Sequence, residues 1–267
     1  MINFFRKIRK QLADDNQFFK YSRYAIGEIV LVVIGILIAL QINNWNEEVK
    51  NQKNEYSFFK DILGDLNKDS VKLSDLTLYY KNRIEHAAWL LKKVRDPESP
   101  FKNEEFGKHV EPLYLGPLGV TYNSSYEAAK SSGAFATFKN EKILKNLNQF
   151  YADFEELKFI MESTLRSLES NLEPLIATIP ENFINLDSGE YVLTSGSHDN
   201  NKFYEFIADI EDQRNLKVDI KAFIQKPQFE HYLIGDLGRS FNALASIKLR
   251  KERLAKIENE IKKYLNE

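Results

Sequence analysis

From Ala25 to Ile42 the chain reads AIGEIVLVVIGILIALQI, and between Ile29 and Leu40 no side chain is polar. A helix rises ~1.5 Å per residue, so this run spans roughly 27 Å, about the hydrocarbon core of a bilayer. The pattern predicts a transmembrane helix over 25–42. Glu28, near its start, belongs at headgroup depth, because a carboxylate at the bilayer centre costs a few kcal/mol. Tyr21 and Tyr24 precede the run and Trp45 follows it, and such rings collect at membrane interfaces. A cleaved secretory signal fits less well, since Ile38-Ala39-Leu40-Gln41 offers no small-x-small cleavage site. A buried helix of a soluble domain leaves the flanking rings and the basic lead unexplained. Gly27, Gly35 and Ala39 share one face, where small residues let a second helix approach closely.

Past Trp45 the spacing of apolar residues changes to alternate steps of four and three. Trp45, Val49, Gln52, Tyr56, Phe59, Leu63, Leu66, Ser70, Leu73, Thr77, Tyr80, Ile84, Ala87, Leu91 and Val94 fall on it, with three polar exceptions. This predicts that the anchor continues into one long heptad helix ending near Asp96-Pro97. A short helix is expected from Asn103 to about Leu115. Ser124 and Glu127 form a capping box that predicts a helix over 125–132, closed by Gly133. Another long helix begins near Asn140, with Ile143, Leu147, Phe150, Phe154, Leu157 and Met161 on its stripe, and ends around Pro174 to Pro180. A small hairpin is expected over 183–193 and a helix over 202–215. The last helix covers 218–265, broken near Pro227, with Leu233, Leu237, Leu244, Ile247, Leu254, Ile261 and Leu265 inward. The expected fold is all-α: a transmembrane helix leading into an antiparallel bundle of about four main, heptad-patterned coiled-coil-like helices.

Composition sharpens this picture. The 267 residues carry a net charge of −2 and are 43% hydrophobic, enough for a real core but without the basic excess of a nucleic-acid binder. With no cysteine there is no disulfide, thiolate metal site or thiol nucleophile. Charge also sets a direction. Arg6, Lys7, Arg9, Lys10, Lys20 and Arg23 precede the span, whereas Lys50, Lys53 and Lys60 follow it among acidic residues. This predicts an N-terminus inside and a body outside the membrane. Within residues 2–13, Phe5, Ile8 and Leu12 share a helical face beside Phe4, as in a helix lying on an anionic leaflet. Three regions result: a basic head over 1–24, the span over 25–42 and an extracytoplasmic helical body over 43–267.

Two blocks are more specific than hydrophobicity requires. MINFFRKIRKQLADDN is followed by YAIGEIVLVVIGILIALQINNWNEE. Further on, Thr121-Tyr122 runs to Ser132-Gly133, then Asn140-Glu141-Lys142 and Phe150-Tyr151. The chain resembles a bacterial family of uncharacterised membrane proteins, domain-of-unknown-function family 6090. Ser125-Tyr126 and Ala134 depart from the family's T-Y-x-x-L-x-x-S-G pattern. The resemblance implies an anchored protein with an outward helical domain, and it carries no reaction or cofactor.

Motifs for chemistry are scarce. His86, His109, His198 and His231 form no H-x-x-x-H or H-E-x-x-H pair. Asp65-x-Asn67-x-Asp69 starts like a calcium loop but lacks the glycine and the closing glutamate. Asp61, Asp65 and Asp69 line one helical face among lysines and read as a solvated surface. No nucleophile elbow, phosphate loop or dinucleotide fingerprint occurs. No catalytic, metal or cofactor residue is assigned. The residues singled out are those of the anchor and its interfaces: Tyr24, Gly27, Glu28, Gly35, Ala39 and Trp45. The expected function is a membrane-anchored, non-enzymatic interaction or scaffold protein. Its partners are the lipid bilayer and a protein, either another chain or a second copy, with no nucleic acid. A ligand-sensing bundle that signals through a partner, and an envelope enzyme with a dispersed site, are the alternatives.

Overall fold

The computed structural model describes Arg6 and residues 18–117, 119–177, 209–210, 213 and 219–266. Every regular element among them is helical, as the all-α expectation requires. Apart from isolated positions, the predicted head helix, the 183–193 hairpin and the 202–215 helix lie outside the described residues. The chain divides into two compact units, Met1–Ser57 with Thr137–Lys139, and Phe58–Ala136 with Asn140–Glu267.

Helix α1 runs unbroken from Phe18 to Arg95, so the apolar run and the heptads do belong to one helix. It ends where expected. Pro97 disfavours helical geometry at Asp96, and Lys92, Lys93 and Arg95 in the last turn complement the helix dipole. In the first unit the apolar part of α1 is bare: none of its most apolar eighteen-residue window is buried. Used as a core element, such a helix would be covered by its own chain. It is long and apolar enough to cross a membrane. In the same unit Glu55, 1% exposed, accepts a hydrogen bond from the Lys139 amide at 3.0 Å.

The second unit has three long helical runs among the described residues, where the sequence suggested about four. α1 supplies the first, from Phe58. A short α2, Asn103–Val110, follows and tightens into a 3-10 turn, Glu111–Tyr114, where Pro112 lacks an amide to donate. Next comes α3, Ser124–Ser131, closed by Gly133 at φ +73°, a left-handed geometry suited to glycine. The second long run joins α4, Glu141–Ala152, to α5, Phe154–Ser167, then a π-helical turn, Leu168–Leu172, and α6, Glu173–Ile176. Asn140 caps α4 by accepting from the Ile143 amide at 3.2 Å. The predicted break at Pro227 separates α7, Ile220–Ile224, from α8, Pro227–Asn266, the third run. Glu260 of α8 meets Lys142 of α4 at 2.9 Å, and Arg239 donates to Ser167 at 2.6 Å, so α8 runs antiparallel to the second run.

At one end of this unit Phe106, Phe223 and Phe229 pack ring to ring, with centroids 5.1 to 6.1 Å apart, against Leu90, Val110 and Leu233. Each such side chain taken from water contributes roughly 1.5–3 kcal/mol. The heptad reading needs one correction. On α1, Phe59, Leu66, Leu73, Tyr80, Ala87 and Val94 are buried, but Leu63, Thr77, Ile84 and Leu91 are only half-covered, and Trp45 and Tyr56 are exposed. The covered face is turned to include Ile62, Leu76, Tyr79 and Leu90, and it also takes in Asp65, Asp69, Lys72, Arg83 and His86. On α8, likewise, Leu237 and Leu244 are half-covered while Asp236, Ser240 and Arg250 are buried. The bundle core is partly polar, which apolar spacing alone does not reveal.

Gly133→Ala forces an L side chain into the left-handed region. It should cost about 1 kcal/mol in urea unfolding of the full-length protein, with Gly133→Asn costing less.

Candidate functional site

The buried charges form two clusters along the line where α1 faces α8. In the first, Arg83 and Asp236 are 1% and 0% exposed. The Arg83 Nε donates to both carboxylate oxygens of Asp236, at 3.1 and 2.9 Å, and Nη2 donates to Oδ1 at 2.8 Å. Its remaining N–H groups donate to the carbonyls of Leu113 and Leu115, at 3.1 and 2.9 Å, and to the hydroxyls of Tyr79 and Tyr232, at 2.9 and 3.1 Å. Tyr79 in turn donates to the Leu115 carbonyl. One planar guanidinium therefore ties α1, α8 and the turn after α2 together. Burial alone would lower its pKa, but Tyr79, Asp236 and Tyr232 outweigh that and hold it above the ordinary arginine value. Burial pushes the Tyr79 hydroxyl up to about 12, so it stays protonated and donates.

In the second cluster Asp69, 2% exposed, accepts from the Thr121 hydroxyl and the Tyr122 amide, both at 2.9 Å. Asp65 accepts from the Ser125 amide at 3.0 Å and the Ser124 hydroxyl at 3.3 Å. The solvated-face reading of these residues is overturned: only Asp61 is exposed, while Asp65 and Asp69 grip the segment that leads into α3. The predicted capping box is replaced as well. Ser124 is already helical and caps nothing, and one of the first amides of α3, that of Ser125, is met by Asp65, reaching across from α1. Arg250 of α8 completes the cluster. It donates to Thr121 at 3.0 Å and to the Phe150 carbonyl, lies 3.8 Å from the centre of the Phe150 ring, and stands 3.9 Å from Asp69. Burial raises the Asp69 carboxyl pKa and lowers that of Arg250 to about 10, because a pair this far apart only partly offsets two desolvation costs.

A third group lies farther along α1. The Nδ1 atoms of His86 and His109 are 2.8 Å apart, so one ring must donate and the other accept. The His109 ring lies flat on Trp89, 4.0 Å between centroids and 7° between planes, and Lys93 sits over the same indole at 5.2 Å. Burial, helped by His86, Lys108 and Lys93 and opposed by Glu105, lowers the His109 pKa to about 4. His86 is also lowered, by burial and Lys108 against Glu85. Among the described residues no three His, Asp or Glu side chains converge as metal ligands.

The residues singled out from sequence all lie on α1, in the first unit. Gly27, Gly35, Ala39 and Trp45 are exposed, and Tyr24 and Glu28 are half-covered. A Cβ added at Gly27 or Gly35 would touch nothing within 4 Å, so the fold of a single chain does not require either glycine. The buried clusters were missed because their residues are ordinary charges on apolar faces. The one available signal was Thr121-Tyr122, whose place in the family-like patch is explained by Asp69.

Residues 28–154 match a family of unknown function, DUF6090. The resemblance read from the sequence is thereby borne out. The match takes in the apolar run, Asp65, Asp69, Arg83 and the Thr121–Gly133 patch, and ends before Asp236 and Arg250. No curated protein and no solved structure matches the chain.

Two outcomes follow from these clusters. Arg83→Met strands a buried carboxylate and should cost 3–5 kcal/mol of stability, whereas the double change Arg83→Met with Asp236→Leu should cost markedly less; urea midpoints of the single and double variants measure this. The histidine pair sets a pH dependence. Its pKa values are lowered on folding, so its stabilisation is complete above about pH 6.5 and is lost as pH falls towards 4. Between pH 7 and 5 the loss should be about 1 kcal/mol after allowance for solvent screening, and His109→Gln should reduce it.

Proposed function

We propose that this protein is a single-pass, non-enzymatic membrane protein. Its helical body, residues 43–267, stands on the periplasmic side of a bacterial inner membrane as an interaction or scaffold module. The observation that carries the reading is the bare apolar run of α1, none of whose most apolar eighteen-residue window is buried. The six basic residues ahead of it, against three diluted by acids behind it, support a cytoplasmic N-terminus. Gly27, Gly35 and Ala39 give the span a small-residue face that fits a second helix. The rest of the chemistry also favours scaffolding. Asp65, Asp69, Arg83, Asp236 and Arg250 direct their hydrogen bonds to backbone groups, to neighbouring hydroxyls and to one another, which builds a stiff body and leaves no poised acid, base or nucleophile among them.

The full-length protein should stay with membranes through alkaline carbonate washing and leave them only in detergent. A periplasm-dependent reporter fused after Glu267 should be active, and a cytoplasm-dependent one silent. Recovery of the intact chain in the soluble fraction, or the opposite reporter pattern, would contradict this reading.

A further inference from the structure

Two histidines on different helices turn the same nitrogen towards each other. His86 lies on α1 and His109 on α2, and their Nδ1 atoms stand 2.8 Å apart. The rings are tilted by 58°, with centroids 4.9 Å apart. His109 is braced from behind, flat against the Trp89 indole at 4.0 Å, and Phe101 meets the same indole edge-on at 6.1 Å. An imidazole braced in this way keeps its Nδ1 aimed, as a ligand to a metal must. His86 is buried and His109 half-buried, so the pair is seated against the body and reached from the side of His109. The charged side chains that act on the rings are Glu85 and Glu105 on one hand and Lys93 and Lys108 on the other, so the two acids balance the two lysines.

We infer that this pair is a transition-metal site, which takes a Cu(II) ion, or more weakly Ni(II), on its two Nδ1 atoms and leaves the other positions to water. The spacing selects the ion. Two nitrogens bound at right angles, each about 2.0 Å from a metal, are about 2.8 Å apart, the edge of a square-planar or octahedral centre; tetrahedral geometry would hold them about 3.3 Å apart. Zn(II) prefers the tetrahedral arrangement and Cu(II) the square one, and Cu(II) stands highest in affinity among the common divalent ions. In the metal-free protein one ring donates its Nδ1–H to the other. For the ion to bind, the donating ring carries its proton on Nε2 instead, by exchange with water, and each ring turns so that both lone pairs meet at the metal. No proton is lost overall. Structural sites are closed by four protein ligands, whereas one with two exchanges its ion with solvent or with a partner. The inference stands whether or not the apolar run crosses a membrane.

The chain has no cysteine to compete for the ion. In the full-length Trp45→Phe protein Trp89 is the one remaining indole, and it lies against a ligand ring. Cu(II) added at neutral pH should quench its emission saturably at one ion per chain, and Zn(II) should displace the Cu(II) only in large excess. His86→Gln and His109→Gln should each weaken binding roughly tenfold or more, while His231→Gln, exposed on α8, should leave it unchanged. Pulsed electron paramagnetic resonance of the unaltered protein with one equivalent of Cu(II) should show two imidazole nitrogens on the ion, a reading that needs no variant to fold. One imidazole or none, the same affinity in both Gln variants, or tighter binding of Zn(II) than of Cu(II) overturns the site.

Discussion

Two arginines buried between helices govern this body. A guanidinium cannot lose its proton under ordinary conditions, so taking it out of water is tolerable only if nearly every N–H finds an acceptor. Arg83 finds a carboxylate, two tyrosine hydroxyls and two carbonyls; Arg250 finds a carbonyl, a hydroxyl and an aromatic face. These requirements are geometric. They fix the height of α8 against α1 at two places, and they recruit backbone from the connecting segments, which would otherwise lack a reason to lie where they do. Leucines in the same positions would bury as much surface but would let the helices slide. The specificity of the packing comes from the charges and the bulk of the driving force from the phenylalanines and leucines around them.

This division explains what the sequence could and could not disclose. The extent of α1 was legible because an uninterrupted apolar run passes directly into a heptad series, and because Pro97 follows the end of that series. The start of α4 was legible through Asn140, whose side chain accepts from the Ile143 amide; Asp219, which accepts from the Ala222 amide, caps α7 without having been singled out. The register of the covered face was not. Stepping by heptads counts apolar residues, and the face that is buried carries Asp65, Asp69, Lys72, Arg83 and His86. A charge on an amphipathic helix is ordinarily solvated, and nothing local distinguishes Asp61, which is, from Asp65, which is not. The difference lies in a segment some sixty residues away that offers Asp65 two donors.

The long-range cap has a structural counterpart in the family match. The matched region contains both the aspartates of α1 and the residues from Thr121 to Ser125 that they hold, so both sides of this helix-to-loop contact lie within it. Arg250 and Asp236 join from outside that region. α8 therefore completes a polar frame whose other parts lie within the matched residues.

The flat contact between His109 and Trp89 has a practical side. The chain has two tryptophans, and the other, Trp45, sits just past the apolar run. An indole stacked on an imidazole and an exposed indole beside an apolar run emit in different surroundings. Replacing either one isolates the light of the other, so the molecule comes supplied with separate optical gauges for its helical body and its apolar run.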